Sequence, residues 1–203
     1  MICSKREMKM KAKGFTLIEL AVVLAVIAVL AAILTPMVSG YIDQARGARA
    51  QAEVKEIADA FTLYQRDVGK FPIFNNTTDA GTDTPAADYI RSGVGSNTTG
   101  PAWTGNFATT SLDSFLNNNY LGKTVMLTTG LGKVSFRGPY IAGLDSDPWG
   151  NKYVVTAINL KDNSANWAYV ASAGPNGTLD TSPSMARTTA LAASSDDFVS
   201  VIK

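Results

Sequence analysis

Glu19 sits inside an otherwise apolar run, and its carboxylate is the group most in need of a chemical partner. From Phe15 to Val38 the chain has 24 residues and this single charge. An isolated charge at the centre of a membrane helix costs at least about 2.5–3.5 kcal/mol, so it normally finds a counter-charge or snorkels to the headgroup layer. Other reactive chemistry is sparse. Histidine is absent, which removes His-based acid–base catalysis and His-ligated metals. Cys3 is the one cysteine, so an intrachain disulfide and any multi-cysteine zinc or iron–sulfur site are excluded. No Ser-Lys or paired-carboxylate constellation points to an enzyme, and no Walker-type glycine loop is present to bind ATP. Asp196-Asp197 precede the strand-like Phe198–Ile202, which by itself reads as a solvated acidic turn.

A chain of 203 residues suggests one domain, or one domain plus an appendage. Its formal charge of +1 and pI near 7.8 do not suggest a nucleic-acid partner, which would call for a basic patch. The charge is unevenly placed. Met1–Lys13 carry five basic residues and Glu7, which leaves the rest of the chain at −3. The apolar segment that follows is long enough, at about 1.5 Å per residue, to cross a hydrocarbon core of about 30 Å. The basic flank then stays cytoplasmic and the remainder lies outside that membrane. An ordinary secretory signal places small residues after its apolar core. Here Gly14 comes before it.

The segment beyond the apolar run continues as helix. Ala50, Val54, Ile57, Phe61, Tyr64 and Val68 recur at alternating steps of four and three, one face of an amphipathic helix. Arg49–Glu53 and Lys55–Asp59 stand at helical-neighbour spacing. Gly69 and Pro72 supply a stop. One helix from about Phe15 to Val68, on the order of 80 Å long, is expected, with a kink or local melting near Pro36 and Gly40.

Residues 70–140 are rich in Asn, Thr, Gly and Ser and read mainly as loops, with a short helix around Ser111–Asn118 capped by Ser111. Asn76, Asn97 and Asn176 open glycosylation-type sequons, which in such loops are expected by chance. Alternation returns at Tyr153–Ile158 and Asn166–Ala171, a predicted antiparallel hairpin turning at Lys161-Asp162-Asn163. Gly138–Ile141 is a candidate third element. Asp147-Pro148-Trp149-Gly150 reads as a tight turn whose tryptophan fills the core. A small antiparallel sheet laid on the second half of the helix makes the fold class α+β.

Lys13-Gly14-Phe15-Thr16-Leu17-Ile18-Glu19-Leu20, with Pro36 further along the helix, resembles the type IV pilin and type II secretion pseudopilin superfamily. Tyr64–Pro72 and Asp147-Pro148-Trp149-Gly150-Asn151-Lys152-Tyr153 are similar to segments of the major pseudopilins. The resemblance implies the pilin fold: a long N-terminal helix packed against a small antiparallel β-sheet head. It divides the chain into a leader (1–14), a transmembrane and polymerisation segment (15–40) and a periplasmic head (41–203). It implies cleavage between Gly14 and Phe15 by a prepilin peptidase and N-methylation of Phe15. The new amine of Phe15 in one subunit would pair with Glu19 of another, and Pro36 belongs to the same assembly helix.

Ala171–Gly177 together with Ser195-Asp196-Asp197 resembles the calcium-binding C-terminal loop of major pseudopilins. The resemblance implies a structural Ca²⁺ held by the Ala173 carbonyl, Asn176, Asp180, Asp196 and Asp197. Asn176 stands where the family usually has aspartate. The implied function is a structural subunit of a periplasmic pseudopilus, anchored in the bacterial inner membrane before assembly. Its implied partners are copies of itself, minor pseudopilins, an inner-membrane assembly platform and membrane lipid. A major type IV pilin forming surface fibres is the alternative; the absence of cysteine after the leader and the Asp147–Tyr153 segment favour the pseudopilin.

Overall fold

Thr16-Leu17-Ile18-Glu19 starts the long helix by a reciprocal hydrogen-bond exchange. The Glu19 amide donates to Thr16 Oγ1 (3.3 Å), and the Thr16 amide donates to Glu19 Oε2 (3.0 Å). Such a capping box satisfies donors that have no partner within the helix. These contacts come from a computed structural model that describes residues 14–69, 71–72, 87–117, 136–161 and 164–203. The chain divides into two units, the first ending at Asp43 and the second running from Gln44 to Lys203.

Helix α1 spans Leu17–Val68. In the first unit its side chains are exposed throughout, and it is long and apolar enough to cross a membrane. The expected local melting is absent, because α1 continues through Pro36. Proline has no amide hydrogen to offer the Ala32 carbonyl. One residue earlier the Thr35 hydroxyl donates to the Ala31 carbonyl (2.7 Å), as a helical threonine can. Gly69 ends the helix with φ 82°, a left-handed conformation that glycine adopts without Cβ strain, and its amide donates to the Gln65 carbonyl.

Within the second unit the face predicted from periodicity is the buried one. Ala50, Val54, Ile57, Phe61 and Tyr64 are inaccessible or nearly so, and Val68 packs at the margin of the core. Burying a side chain such as Ile57 or Phe61 contributes about 1.5–3 kcal/mol. They meet a four-stranded antiparallel sheet of order β1 (Ile90–Arg91), β2 (Val154–Val155), β3 (Tyr169–Ser172) and β4 (Phe198–Val201). The expected hairpin is β2–β3, with Val154 opposite Ala171 and Val155 opposite Val170. Its first strand is shorter than predicted, since Ala157–Leu160 turns into a 3₁₀ helix; Asp162 and Asn163 of the expected turn lie outside the described residues.

The neighbour of β2 is Ile90–Arg91, taken from the loop-rich stretch, in place of Gly138–Ile141. That latter segment lies as an aromatic strap on the end of α1. Tyr140 and Phe136 meet Tyr64 edge-on, with centroids 5.5 and 6.0 Å apart, and the Tyr140 hydroxyl donates to Asp67 (3.2 Å). Burial pushes the Tyr64 hydroxyl pKa up to about 12. The short helix α2, Leu112–Asn117, points Leu112, Phe115 and Leu116 into the same core, as predicted.

Successive strand residues face opposite sides of a sheet. Val155 and Val170 face α1, while Val154, Tyr169 and Ala171 enter a second apolar cluster with Tyr89, Trp103 and Leu179. Antiparallel sheets commonly leave one face to water. Here loops cover that face. Leu179 donates its amide to Thr99, Trp103 Nε1 donates to the Thr181 carbonyl (2.9 Å), and the Tyr169 hydroxyl donates to that of Ser182 (2.8 Å).

Candidate functional site

Two groups of residues carry the predicted chemistry, one in each unit. In the first unit, Gly14 and Phe15 precede α1, and Phe15 is 91% exposed. Glu19 stands in the first turn, and Pro36 lies within the exposed helix. Thr16 is the residue that sequence reasoning passed over. Besides its amide, its hydroxyl donates to Glu19 Oε2 (3.0 Å). The signal was available in the spacing Thr-x-x-Glu, which is a helix-start signature as well as part of the family motif.

The second group closes the C-terminal loop. Gly174 has φ 60°, and a Cβ there would run into the backbone carbonyl of Asp196, so the two segments meet at a position only glycine fits. Asp196 grips Asn176 at two points: Oδ2 accepts its amide (3.0 Å) and Oδ1 accepts Nδ2 (2.6 Å). Asn176 Nδ2 also reaches Asp180 Oδ2 (3.2 Å), while Asn176 Oδ1 accepts the Thr178 amide (2.6 Å). Asp197 is buried, and its Oδ2 accepts the amides of Asp180 (2.9 Å) and Thr181 (2.6 Å). Its Oδ1 is buried and has no hydrogen-bond partner among the described residues. Loss of hydration raises the Asp197 pKa above the ordinary aspartate value, against the lowering effect of the Thr181 and Asp180 donors.

The structure thus brings Asn176, Asp180, Asp196 and Asp197 together, with Ala173 fully buried beside them in the chain. Calcium takes about 6–8 oxygens in one shell. Here the carboxylates turn to N–H donors, and the group that faces both Asp180 and Asp196 is an amide nitrogen. Among the described residues, no cluster of three or more acids, histidines or cysteines is arranged to hold a metal ion. Asp196 Oδ1 and Oδ2, Asp180 Oδ2 and Asp197 Oδ2 thus accept N–H donors, and Asp197 Oδ1 is the buried oxygen left without one.

Asp147 anchors the neighbouring turn. Its Oδ1 accepts the amides of Trp149 (3.0 Å) and Asn151 (2.7 Å), and Oδ2 accepts the Ser172 hydroxyl of β3 (2.7 Å). Asn151 Nδ2 in turn donates to the Gly174 carbonyl (3.1 Å), coupling this turn to the C-terminal loop. Trp149 does not fill the core as predicted. It is half-buried and stacks on Phe198, with centroids 5.6 Å apart and an interplanar angle of 16°. These side chains pin loops and offer no nucleophile–base pair.

A processing-type N-terminus on an apolar helix, continued into an α+β head, defines a class of membrane-anchored assembly proteins. Residues 9–35 match the prokaryotic N-terminal methylation motif. The chain is 25% identical over 177 residues to the type II secretion system core protein G of Escherichia coli (strain K12), covering 84% of this chain and 87% of that protein. It is 34% identical over 119 residues to the type IV major pilin protein PilE1 of Neisseria gonorrhoeae, covering 57% of this chain and 67% of the pilin. The core protein G of Pseudomonas aeruginosa is 41% identical over 59 residues, 29% of this chain and 42% of that one. No solved structure matches the chain. The chain belongs to the type IV pilin-like superfamily.

Proposed function

We propose that the chain is the structural, non-catalytic subunit of a periplasmic pseudopilus in a type II secretion-like system. One observation carries the assembly reading: the apolar side chains of α1 from Leu17 to Val38 are exposed among the described residues. Such a surface needs lipid before assembly and neighbouring helices after it. A prepilin peptidase of the inner membrane cuts between Gly14 and Phe15 and methylates the new amine. Both Thr16 bonds fall on Glu19 Oε2, so Oε1 is available to the Phe15 amine of an adjacent subunit. That pairing offsets the cost of burying either charge alone. The head stays on the periplasmic side. Minor pseudopilins and an inner-membrane platform start the filament, and its growth moves folded cargo outward.

The choice of pseudopilus over surface fibre is supported by the extent of the match to the E. coli core protein G, 87% of its length. The Neisseria relative favours the second reading, a major type IV pilin, over a shorter share of this chain. Intact-mass measurement in the native host is expected to show loss of residues 1–14 and gain of one methyl. A retained Met1 rejects the processing. Deletion of the chain should abolish export of a secreted protein and leave surface fibres unchanged; the reverse pattern selects the pilin.

A further inference from the structure

We propose that the carboxamide of Asn176 occupies the position of a cation in the C-terminal loop, so that this loop closes without divalent metal. The inference is independent of which filament the chain builds. Its basis is the direction in which the amide points. The Thr178 amide donates to Asn176 Oδ1 at 2.6 Å, and an N–H donor can face only the oxygen end of a carboxamide. That contact turns Nδ2 towards the two carboxylates, 2.6 Å from Asp196 Oδ1 and 3.2 Å from Asp180 Oδ2. A cation placed between Asp180 and Asp196 would displace this nitrogen. Offering Oδ1 to the cation instead requires a flip that sets Nδ2 against the Thr178 N–H, donor against donor.

The remaining grips are also made by nitrogen. Asp196 Oδ2 holds the Asn176 amide, and Asp197 Oδ2 holds those of Asp180 and Thr181. The stretch from Asn176 to Thr181 is therefore tied to Asp196-Asp197 by four N–H bonds, and a fifth, from Asn176 to Asp180, braces it. Asn176 supplies two hydrogens with partial positive charge where an ion would supply two full charges. An aspartate at 176 would keep the Thr178 contact through one oxygen. Its other oxygen would then face Asp180 and Asp196, and three carboxylates so close repel one another, a repulsion that a bound cation relieves.

The test uses the full chain in detergent, with Tm followed in chelator, in millimolar CaCl₂ and in MgCl₂. The native sequence is expected to give one Tm in all three. Asn176→Asp is expected to melt lower in chelator and to recover with Ca²⁺. Asn176→Ala loses the bridge and should melt several degrees lower than the native chain, by the same amount in every condition. A native Tm that falls in chelator and returns with Ca²⁺ overturns the proposal. So does an Asn176→Asp chain that folds with the same Tm whether or not Ca²⁺ is present, because the amide would then not stand at a cation's position. If Asn176→Asp fails to fold in any buffer, the native chain and Asn176→Ala still decide between the two outcomes.

Discussion

The two halves of α1 share one backbone conformation and solve opposite solvent problems. From Leu20 to Val38 the helix carries no charge and is exposed on every side. From Ala50 to Tyr64 it is apolar on one face, and that face is buried under the sheet. A helix carries its hydrogen bonds within itself, so its stability as a helix says little about what must surround it. The first half depends on other molecules; the second is completed by its own chain. Opposite charges appear on the second half alone, as in Arg49–Glu53 at 2.7 Å, where an exposed face must stay in water.

If the halves are independent in this sense, their mutants must fail in different assays. The largest expected effect is from Glu19→Ala, which should abolish detectable filaments while leaving the thermal transition of the head unchanged. A lowered head Tm would break the comparison. Next is Phe61→Ala, expected to cost about 3–5 kcal/mol as a large cavity in a packed core. At about 2–4 °C per kcal/mol for a chain of this size, calorimetry resolves it easily. Arg49→Ala sharpens the contrast at the margin of that face, where Glu53 also accepts the Tyr153 hydroxyl. As a helix i,i+4 pair, Arg49–Glu53 is worth about 0.2–0.5 kcal/mol, and the loss should shrink further in high salt.

A pH series gives the smallest and most specific signal. The folded-state pKa of Asp197 lies above its unfolded value because burial disfavours the carboxylate. The native state therefore holds the proton more tightly, and this group's contribution is fully present below the unfolded pKa of about 4. It is lost as pH rises through the folded pKa. Denaturation of the native chain and Asp197→Asn is expected to differ in slope over that window, with the native chain gaining relative stability on acidification. Parallel curves would remove Asp197 from the account.

Elements with a repeating pattern were legible in the sequence, and elements made by distant partners were not. Ala50 to Val68 declare a helix face by spacing alone, and Leu112, Phe115 and Leu116 do the same over one turn. The hairpin and the last strand were visible in alternation. By contrast, Ile90–Arg91 is a two-residue strand, too short to show a period. Tyr89, Trp103 and Leu179 form the second cluster from separate loops, held by backbone carbonyls such as that of Thr181. No local pattern encodes such contacts. At the candidate site, residue types and proximity were readable, but the direction of the Asn176 amide depends on Thr178 and on Asp196, twenty residues away. Of the long stretch 73–140, residues 73–86 and 118–135, including Asn76 and its sequon, lie outside the described residues.

The sheet ends at two short strands, and that limits how copies of this protein can join. An exposed strand edge is a template for pairing with another chain. β1 has two residues and Tyr89 beside it already bridges to Phe107, whose neighbour Ala108 donates its amide to the Tyr89 carbonyl. At the other edge, Gln51 of α1 reaches the Val199 carbonyl of β4 (3.4 Å), and Phe198 packs against Gly47. Strand-to-strand growth, the route to amyloid, is thus obstructed at both ends of the sheet. With both sheet edges occupied among the described residues, the exposed apolar helix is the surface left for joining copies of the chain.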